Sequence, residues 1–345
     1  MILENISKIK PLCSVFGECG GCLYQDIPYD EELKIKDHLV QGLLREVLSS
    51  QENLFEPITA SPQIYNYRHR LDMKMQRTRS EGIKMGFSPE GKNRLIEVNA
   101  CPIAMKEVSD YLPQLKEEAI TCFTDKYKFA NLVVKTSHRG GVAWGGLGRK
   151  SLRQEKEDYL WVEIDGKRIF YSLETFFQAN LSILPKLIER IQSFNFLNKK
   201  TTLYDLYGGV GLFGFTLVDQ VKKVVLIEEC PSSIKLANYN LEYHHWPNVE
   251  IVEGRVEDKL KTGMIEAGSN VAMIDPPRAG LSLSALKTLS QSRSFQYILY
   301  LSCHPESLVR DLKGFVQEEW QIEKVIPFDF FPRTKHVETL VVLKL

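Results

Sequence analysis

Three short segments carry side chains that suit covalent catalysis, and each stands at the end of an apolar run or just before one. They are Asp275-Pro-Pro-Arg278, Ser302-Cys303-His304-Pro305 and His336-Val-Glu338. An ionised thiol is a nucleophile, and a carboxylate can accept a proton. Each segment alone has an ordinary structural explanation, because a lone cysteine is most often a small buried hydrophobe. Their occurrence together in one half of the chain favours a catalytic interpretation.

A glycine-rich segment before these three can bind a nucleotide. Gly209-Val-Gly211-Leu-Phe-Gly214 fits the G-x-G-x-x-G pattern between an apolar strand and an apolar helix. Glycines let the backbone turn tightly and approach a ligand closely. Glu228 ends the next apolar run, where its carboxylate can accept from both ribose hydroxyls. The motif alone fits a nicotinamide dinucleotide as well as S-adenosylmethionine.

Four of the seven cysteines are spaced like metal ligands. They are Cys13, Cys19, Cys22 and, far along the chain, Cys101. The odd number of cysteines and the lack of an export signal argue against a disulfide framework. Four thiolates suit zinc or a [4Fe–4S] cluster, and the spacing does not decide between them. Cys122 and Cys230 are interpreted as packing residues.

Strands and helices in alternation must position these residues. From about residue 180 onward, five apolar runs predict strands, and helices such as Ser232–His244 and Ser284–Ser290 separate most of them. The runs are Thr202–Leu206, Lys223–Ile227, Val249–Val252, Val271–Ile274 and Tyr297–Leu301. This alternation is typical of an open parallel α/β sheet, which binds ligands at the carboxyl ends of its strands. Val325–Phe330 and Thr339–Leu345 then predict a terminal antiparallel hairpin.

Residues 62–175 have a different character, that of a small antiparallel β domain. Short alternating runs at Arg70–Gln76, Leu132–Thr136 and Trp161–Ile164 are interrupted by glycine and charge. Between residues 62 and 101 there are eight basic and four acidic side chains, although the net charge of the whole chain is zero. The basic residues are Arg68, Arg70, Lys74, Arg77, Arg79, Lys84, Lys92 and Arg94. A solvated strand face and a nucleic-acid contact both explain this excess.

Together these segments resemble the RNA uridine-C5 methyltransferase family, which modifies bacterial ribosomal and transfer RNA. The resemblance is carried by Phe176-Phe-Gln-Ala-Asn180, Asp205-Leu-Tyr-Gly-Gly-Val-Gly211, Asp275–Arg278, Ser302–Pro305, Phe331-Pro-Arg-Thr-Lys-His-Val-Glu338, Tyr67-Arg-His-Arg70 and the N-terminal cysteines. It implies an α/β fold: a class I, Rossmann-like S-adenosylmethionine methyltransferase domain with a terminal antiparallel hairpin. A small antiparallel β central domain carrying a [4Fe–4S] site would accompany it. We expect residues 1–24 and 62–175 to form the iron–sulfur and RNA-binding domain, and residues 25–61 and 176–345 the catalytic domain.

The resemblance also implies roles for particular residues. Cys303 would be the nucleophile, Glu338 the base, and the four spaced cysteines the ligands of the cluster. Binding of S-adenosylmethionine is expected at Gln178, Tyr207, Gly209, Gly211, Glu228 and Asp275. Binding of RNA is expected at Phe176, Arg68, Arg70 and Arg278. The chain departs from the family pattern at Gly208, where many members have Cys, at His304, where Asn is common, and at Lys335, where a second His is common.

This chemistry explains why these residue types are needed. Carbon 5 of uracil is a poor nucleophile until a thiolate adds at carbon 6, and a carboxylate must later remove the carbon-5 proton so that the thiolate can leave. A uridine inside folded RNA must first be flipped out, and Phe176 is a candidate for stacking on the extruded base. A buried core role is the alternative for that aromatic ring.

Two other functions fit parts of the sequence. A nicotinamide-dependent oxidoreductase would explain the glycine loop but leave Cys303 and Glu338 without roles. An RNA-binding iron–sulfur protein with a vestigial methyltransferase domain is the non-enzymatic alternative, and the same two residues argue against it. Because the first spaced cysteine is residue 13, we expect the RNA-binding TRAM barrel of many relatives to be absent. This favours 23S ribosomal RNA over the T-loop of transfer RNA as the substrate. With no run of the roughly 20 apolar residues needed to span a bilayer, we expect a cytoplasmic monomer without membrane contact.

Overall fold

A computed structural model shows two β-sheets with helices packed against them. The structure describes residues 6–48, 52–78, 82–89, 91, 94–138, 140–146, 152, 154–261 and 263–345. Arg79 and Lys92, two members of the basic group, lie outside these described residues. Among the helices described, none is both long enough and apolar enough to cross a bilayer.

The first helix, α1, spans Tyr29–Leu48. Three acidic side chains occupy its first turn, where the positive end of the helix dipole stabilises them. Its buried face includes Val40 and Leu44, and it also buries two charged residues, Glu32 and Lys36. Burial of charge on a helix requires partners, which the loop before the last strand supplies.

The small sheet is antiparallel throughout, as the sequence predicted. Among the described residues it contains five strands in the spatial order β3-β2-β1-β4-β5. The strands are β1 (Arg70–Thr78), β2 (Gly82–Phe87), β3 (Ile96–Glu97), β4 (Phe129–Thr136) and β5 (Val142–Gly145). Helix α2 (Lys106–Cys122) covers one face, and Met73, Leu132 and Leu112 belong to the core between them.

A two-stranded hairpin follows, formed by β6 (Leu160–Ile164) and β7 (Lys167–Tyr171), and then helix α3 (Leu184–Gln192). The hairpin buries Val162 and Ile169 in one cluster with apolar residues of α3. The predicted strand at Trp161–Ile164 is therefore present, but it packs away from the core of the small sheet.

The large sheet is mostly parallel and ends in an antiparallel pair. In the described part of the chain its order is β10-β9-β8-β11-β12-β14-β13, in which β14 runs antiparallel to both neighbours. The strands are β8 (Thr201–Leu206), β9 (Lys223–Glu228), β10 (Val249–Glu253), β11 (Ser269–Ile274), β12 (Tyr297–Ser302), β13 (Gln321–Phe328) and β14 (Glu338–Lys344). The helices between them are α4 (Leu212–Thr216), α5 (Pro231–His244), α6 (Val256–Lys261), α7 (Leu283–Ser290) and α8 (Pro305–Gln317). The predicted α/β sheet and its terminal hairpin are confirmed.

Both faces of the large sheet are buried, which explains the nearly continuous apolar runs. Alternate residues point to opposite faces: Leu203 belongs to one buried cluster and Tyr204 to the other. The first cluster also holds the β6–β7 hairpin, including Tyr171. This hairpin, although it falls within residues 62–175, shares a core with the large sheet of the predicted catalytic domain. The predicted division into two domains, residues 1–24 with 62–175 and residues 25–61 with 176–345, therefore stays a prediction.

Candidate active site

The three chemical segments meet at one edge of the large sheet. Antiparallel pairing joins Ser302 of β12 to Thr339 of β14, so Cys303 follows β12 directly opposite Glu338, the first residue of β14. Parallel pairing joins Ile274 to Tyr300, which places Asp275 at the same edge. Strand register alone therefore brings a thiol and two carboxyl groups together.

The environment of these three groups favours their uncharged forms. Burial raises the pKa of the Cys303 thiol to about 12, with the Glu338 and Asp275 carboxyls adding to the effect and Arg278 opposing it. Burial also raises the pKa of Glu338 well above its ordinary value, and Asp275 raises it further. Desolvation raises the pKa of Asp275. Gln178 Nε2 donates a hydrogen bond of 2.8 Å to Asp275 Oδ2, and this bond lowers the pKa but does not offset the desolvation. A positive charge placed among them would lower all three pKa values.

The glycine loop connects β8 to α4 and is held in place by Glu228. The Oε2 atom of Glu228 accepts from Gly209 N at 2.9 Å, and its Oε1 accepts from Cys230 N at 2.7 Å. Gly211 has a φ of 94°, and a Cβ there would lie 2.1 Å from the Phe215 ring, so only glycine fits. The non-glycine residue Tyr207 also takes a left-handed φ of 60°. Strain of this kind clusters at ligand sites.

Asp205, at the base of this loop, is a buried acid for which sequence analysis predicted no role of its own. Its Oδ2 accepts from Gly214 N at 2.8 Å, which ties the end of β8 to the first turn of α4. Burial raises its pKa to about 8. The signal in the sequence was a charged residue inside an otherwise apolar strand.

A cavity of about 810 Å³, here called the glycine-loop cavity, opens above the strand ends. Five of the six residues predicted to bind S-adenosylmethionine line it: Gln178, Tyr207, Gly209, Glu228 and Asp275. The sixth, Gly211, shapes the loop but does not line the cavity. The volume lies within the range of cavities that enclose small ligands.

A second cavity of about 700 Å³, the cysteine cavity, is lined by Cys13, Cys19, Cys22 and Cys101. Burial raises the pKa of the Cys22 thiol to about 12. Among the described residues, however, no three His, Cys, Asp or Glu side chains are grouped closely enough to hold a metal ion. The four predicted ligands thus face one space without forming a closed site.

The wall between the two cavities contains the nucleophile candidate. Cys303, Arg68, Asp72 and Arg278 line both cavities, and Glu338 lines only the glycine-loop cavity. A group in either cavity can therefore approach the Cys303 sulfur.

The predicted RNA-binding residues differ in their availability. Phe176 lines the glycine-loop cavity with 64% of its surface exposed, so it is not a core aromatic. Arg278 is exposed at the shared wall. Arg70, in contrast, holds Asp72 with both Nε and Nη2, at 2.9 and 2.6 Å, so its charge is largely balanced.

Two departures from the family pattern have a local explanation. His304 is the N-cap of α8, and its Nδ1 accepts from Ser307 N at 3.4 Å, a capping role that asparagine also fills. A Cβ at Gly208 would lie 2.5 Å from Leu226 Cγ, so this loop is packed for glycine. The third departure, Lys335, lies at the cysteine cavity.

The loop that carries Phe176 and Gln178 is fixed by a buried lysine that sequence reasoning missed. Lys135 Nζ, on β4, donates to Ser172 O and Thr175 O, both over 2.7 Å. Desolvation lowers the pKa of Lys135 well below its ordinary value. Only the tertiary structure shows this link between the small sheet and the site.

Comparison with known proteins identifies the family. A family model described as tRNA (Uracil-5-)-methyltransferase matches residues 147–345, more than half of the chain. The chain belongs to this family. It is an S-adenosylmethionine-dependent RNA (uracil-5-)-methyltransferase, and the family decides between the two ligands that the glycine loop alone left open.

Several relatives match this methyltransferase over nearly its whole length. An uncharacterised RNA methyltransferase of Thermotoga maritima is 27% identical, covering 99% of this chain and 86% of the relative. The 23S rRNA (uracil(1939)-C(5))-methyltransferase of Aliivibrio fischeri is 24% identical, covering 99% and 83%. The crystal structure of Pyrococcus abyssi tRNA (uracil-54, C5)-methyltransferase, in complex with S-adenosyl-L-homocysteine, has a TM-score of 0.70 at 21% identity, covering 92% of this chain and 84% of that one. This likeness confirms the class I methyltransferase fold.

The glycine-loop cavity suits S-adenosylmethionine by its chemistry. The carboxylate of Glu228 suits ribose hydroxyls, and the side chain of Asp275 lies on the Cys303 side of the cavity, where a sulfonium would meet an opposite charge. The backbone glycines allow the close approach that a nucleoside needs.

Proposed function

We propose that this methyltransferase acts on a uridine of 23S ribosomal RNA, with Cys303 as the nucleophile and Glu338 as the base. The observation that carries the proposal is the strand register: Cys303 follows β12 opposite Glu338, on a wall shared by two cavities. A nucleophile and a base that act on adjacent atoms of one ring must lie this close.

The proposed sequence of steps assigns one task to each group. S-adenosylmethionine supplies the methyl group and brings a positive sulfonium into the cavity. The Cys303 thiolate adds to carbon 6 of uracil, which makes carbon 5 nucleophilic. Carbon 5 takes the methyl group as the bond from sulfur to methyl breaks, which leaves neutral S-adenosylhomocysteine. Glu338 then removes the proton of carbon 5 and the bond from carbon 6 to Cys303 breaks, so that the thiolate is released. Asp275 and Gln178 hold the cofactor side of the cavity.

The target base would reach Cys303 at the wall that the two cavities share. Phe176 offers an exposed ring for stacking, and Arg68 and Arg278 offer charge for the phosphates on either side. His336 lines the cysteine cavity. Desolvation lowers its pKa to about 4, so it is a neutral hydrogen-bonding group at physiological pH. Arg70 contributes less than its place in the motif suggested, because Asp72 already balances it.

The choice of 23S rRNA is supported by the Aliivibrio fischeri relative, whose alignment covers 99% of this chain. The alternative is a uridine in the T-loop of transfer RNA. Mapping of 5-methyluridine in both RNAs from a deletion strain separates the two: loss of one 23S position supports the proposal, and loss from transfer RNA alone contradicts it. Since either RNA would be met in the cytoplasm, we propose that the protein acts there. We also propose that it works as a monomer.

We further propose that Cys13, Cys19, Cys22 and Cys101 bind a [4Fe–4S] cluster, as the resemblance to the family implies. The support is chemical: four thiols face one cavity, and Gln25 connects two of them, since its Oε1 accepts from Cys13 N at 3.0 Å and its side chain donates toward the Cys22 thiol. The two-domain division given above is part of this proposal.

Anoxic purification tests the cluster. Brown protein that contains iron and sulfide, and that loses both when Cys22 is changed to Ser, is the expected result. A colourless protein with stoichiometric zinc would contradict it.

The first prediction concerns the nucleophile. Cys303→Ala should abolish methyl transfer and also the covalent complex with RNA containing 5-fluorouridine, because the sulfur that attacks carbon 6 is gone. The measurement is tritiated-methyl transfer together with gel analysis of the adduct. Cys122→Ala is the matched control and should behave as wild type, because the thiol of Cys122 at the end of α2 is exposed and not a packing residue as the sequence suggested. Full activity of Cys303→Ala would refute the proposed mechanism.

A further inference from the structure

Four buried charged residues connect α1 to the loop between β13 and β14. This group, the buried quartet, consists of Glu32, Lys36, Asp329 and Arg333, none more than 3% exposed. Lys36 Nζ lies 2.7 Å from both Glu32 Oε1 and Asp329 Oδ1. Arg333 Nη1 lies 3.5 Å from Glu32 Oε2. The two positive and two negative charges balance, as burial requires.

Arg333 connects the quartet to the segment that follows Cys22. Its Nη1 donates to Ile27 O at 2.9 Å and to Tyr24 O at 3.2 Å. Its carbonyl in turn accepts from Leu23 N at 2.8 Å and from Tyr24 N at 3.1 Å. Both the side chain and the backbone of one residue therefore hold the cysteine-bearing loop.

Arg333 takes a backbone conformation that an arginine rarely adopts. Its φ is 69°, in the left-handed region, and its N–H donates to Glu32 Oε1 over 2.6 Å. Its guanidinium lies 5.0 Å from the Tyr65 ring centre and 5.5 Å from that of Tyr29. A strained residue persists only where its surroundings over-determine it, and these contacts do so.

The same loop forms walls of both cavities. Phe331 lines the glycine-loop cavity, and its carbonyl accepts from Lys36 Nζ at 3.0 Å. His336 lines the cysteine cavity, with its ring 5.9 Å from that of Phe331. Glu338 begins β14 two residues later. Any shift of Arg333 is thus transmitted toward the proposed base.

We propose that Arg333 and Glu32 are positioning residues that lock the cysteine-bearing loop and the loop carrying His336 and Glu338 into one unit. The kinetic part of this inference rests on the proposed function, since it takes Glu338 as the base. The structural part, the lock between the two loops, stands independently of it.

Hydrogen exchange of the whole protein tests the lock. Arg333→Asn removes the guanidinium but keeps a residue that tolerates a left-handed backbone. Exchange should quicken roughly tenfold, the effect of losing charge-assisted hydrogen bonds, in residues 22–27 and in residues 331–338 together. Glu319→Asn is the matched control, because Glu319 has a φ of 72° but an exposed side chain, and both segments should stay unchanged in it. Faster exchange in only one segment, or in neither, would overturn the inference.

A second pair of variants tests the same inference in case Arg333→Asn does not fold. Glu32→Gln keeps the shape of the side chain but leaves the quartet with one excess positive charge, whereas Glu31→Gln alters only an exposed pair with Lys34. Glu32→Gln should show the same paired change in exchange, and Glu31→Gln should not. Arg333→Lys, which retains the charge, should restore part of the protection.

Kinetics distinguish positioning from mere stabilisation. Active sites are first counted by titration with 5-fluorouridine RNA. Per active site, Arg333→Asn should lower kcat about tenfold, with unchanged KM for S-adenosylmethionine, and should accumulate the covalent RNA complex, because the base no longer reaches its proton. Fewer active sites with wild-type kcat would show a purely structural role and overturn the positioning claim. If wild-type protein methylates no uridine, the proposed function fails, and the exchange experiment still decides the lock.

Discussion

The proposed nucleophile, Cys303, is a protonated thiol in the protein without cofactor. Burial and the carboxyls of Glu338 and Asp275 raise its pKa to about 12, so little thiolate exists at neutral pH. Arg278 favours the thiolate, and a cation in the glycine-loop cavity would favour it further. On the proposed mechanism, the thiolate would therefore form when the positively charged cofactor is bound.

The pH dependence of the first covalent step follows from this. The protonated thiol is the inactive form, so the rate should rise with pH, about tenfold per unit on the acid side of the governing pKa. The measurement is the rate of covalent complex formation with 5-fluorouridine RNA at saturating cofactor. A rate that does not change across neutral pH would contradict the prediction that Cys303 is still largely protonated at neutral pH with the cofactor bound.

Glu338 is the residue for a trapping experiment. Glu338→Gln keeps the shape of a buried side chain but cannot accept the carbon-5 proton, so methyl transfer should proceed once while release stalls. Covalent RNA–protein complex carrying the new methyl group should accumulate on unmodified RNA, as seen by gel shift with labelled cofactor. Normal turnover without such a complex would remove Glu338 from the role of base.

At the scale of elements, the strands of the large sheet were predictable and the junction with the small sheet was not. A strand buried on both faces is a continuous apolar run, as at Val271–Ile274, and it can be predicted without knowing its neighbours. Lys135 looked like an ordinary charged residue in an alternating strand. Its burial depends on carbonyls of residues 172 and 175, which no local pattern indicates.

Lys135→Met provides a test of that junction. The turn at residues 172–175 loses two hydrogen bonds, so the loop with Phe176 and Gln178 should loosen and KM for RNA should rise severalfold. The unfolding temperature should change little. Removing a buried cation that has no carboxylate partner recovers desolvation free energy, and this gain is about as large as the free energy of the two hydrogen bonds that are lost. Lys128→Met, at an exposed position before β4, is the control. An unchanged KM would mean that Lys135 does not position the loop.

At the scale of the whole molecule, zero net charge is compatible with RNA binding because the useful charge is local. Ion pairs balance several residues of the basic group: Arg70 with Asp72, Arg77 with Asp125, and Arg94 with Glu18. Arg68 and Arg278 line both cavities. Part of the basic excess counted in the sequence is therefore neutralised within the protein, and these two arginines are the ones proposed to contact RNA.

The salt dependence of RNA affinity measures how many positively charged side chains contact phosphates. Arg278→Gln should reduce the slope of log affinity against log salt by about one, the value for one lost phosphate contact. Arg94→Gln should change the slope much less, since Glu18 already pairs with Arg94. Equal slopes for Arg278→Gln and wild type would show that Arg278 makes no phosphate contact.

The sequence by itself determined the family, the α/β sheet with its terminal hairpin and the segments that meet at its edge. These depend on local signals: apolar periodicity, glycines at positive φ and residues placed at strand ends. Only the tertiary structure decided that Cys303 belongs to the walls of two cavities and that Glu32 holds Arg333 some 300 residues away. Partners so far apart leave no periodic trace in the chain, because a buried charge acquires its role from whatever the fold packs against it.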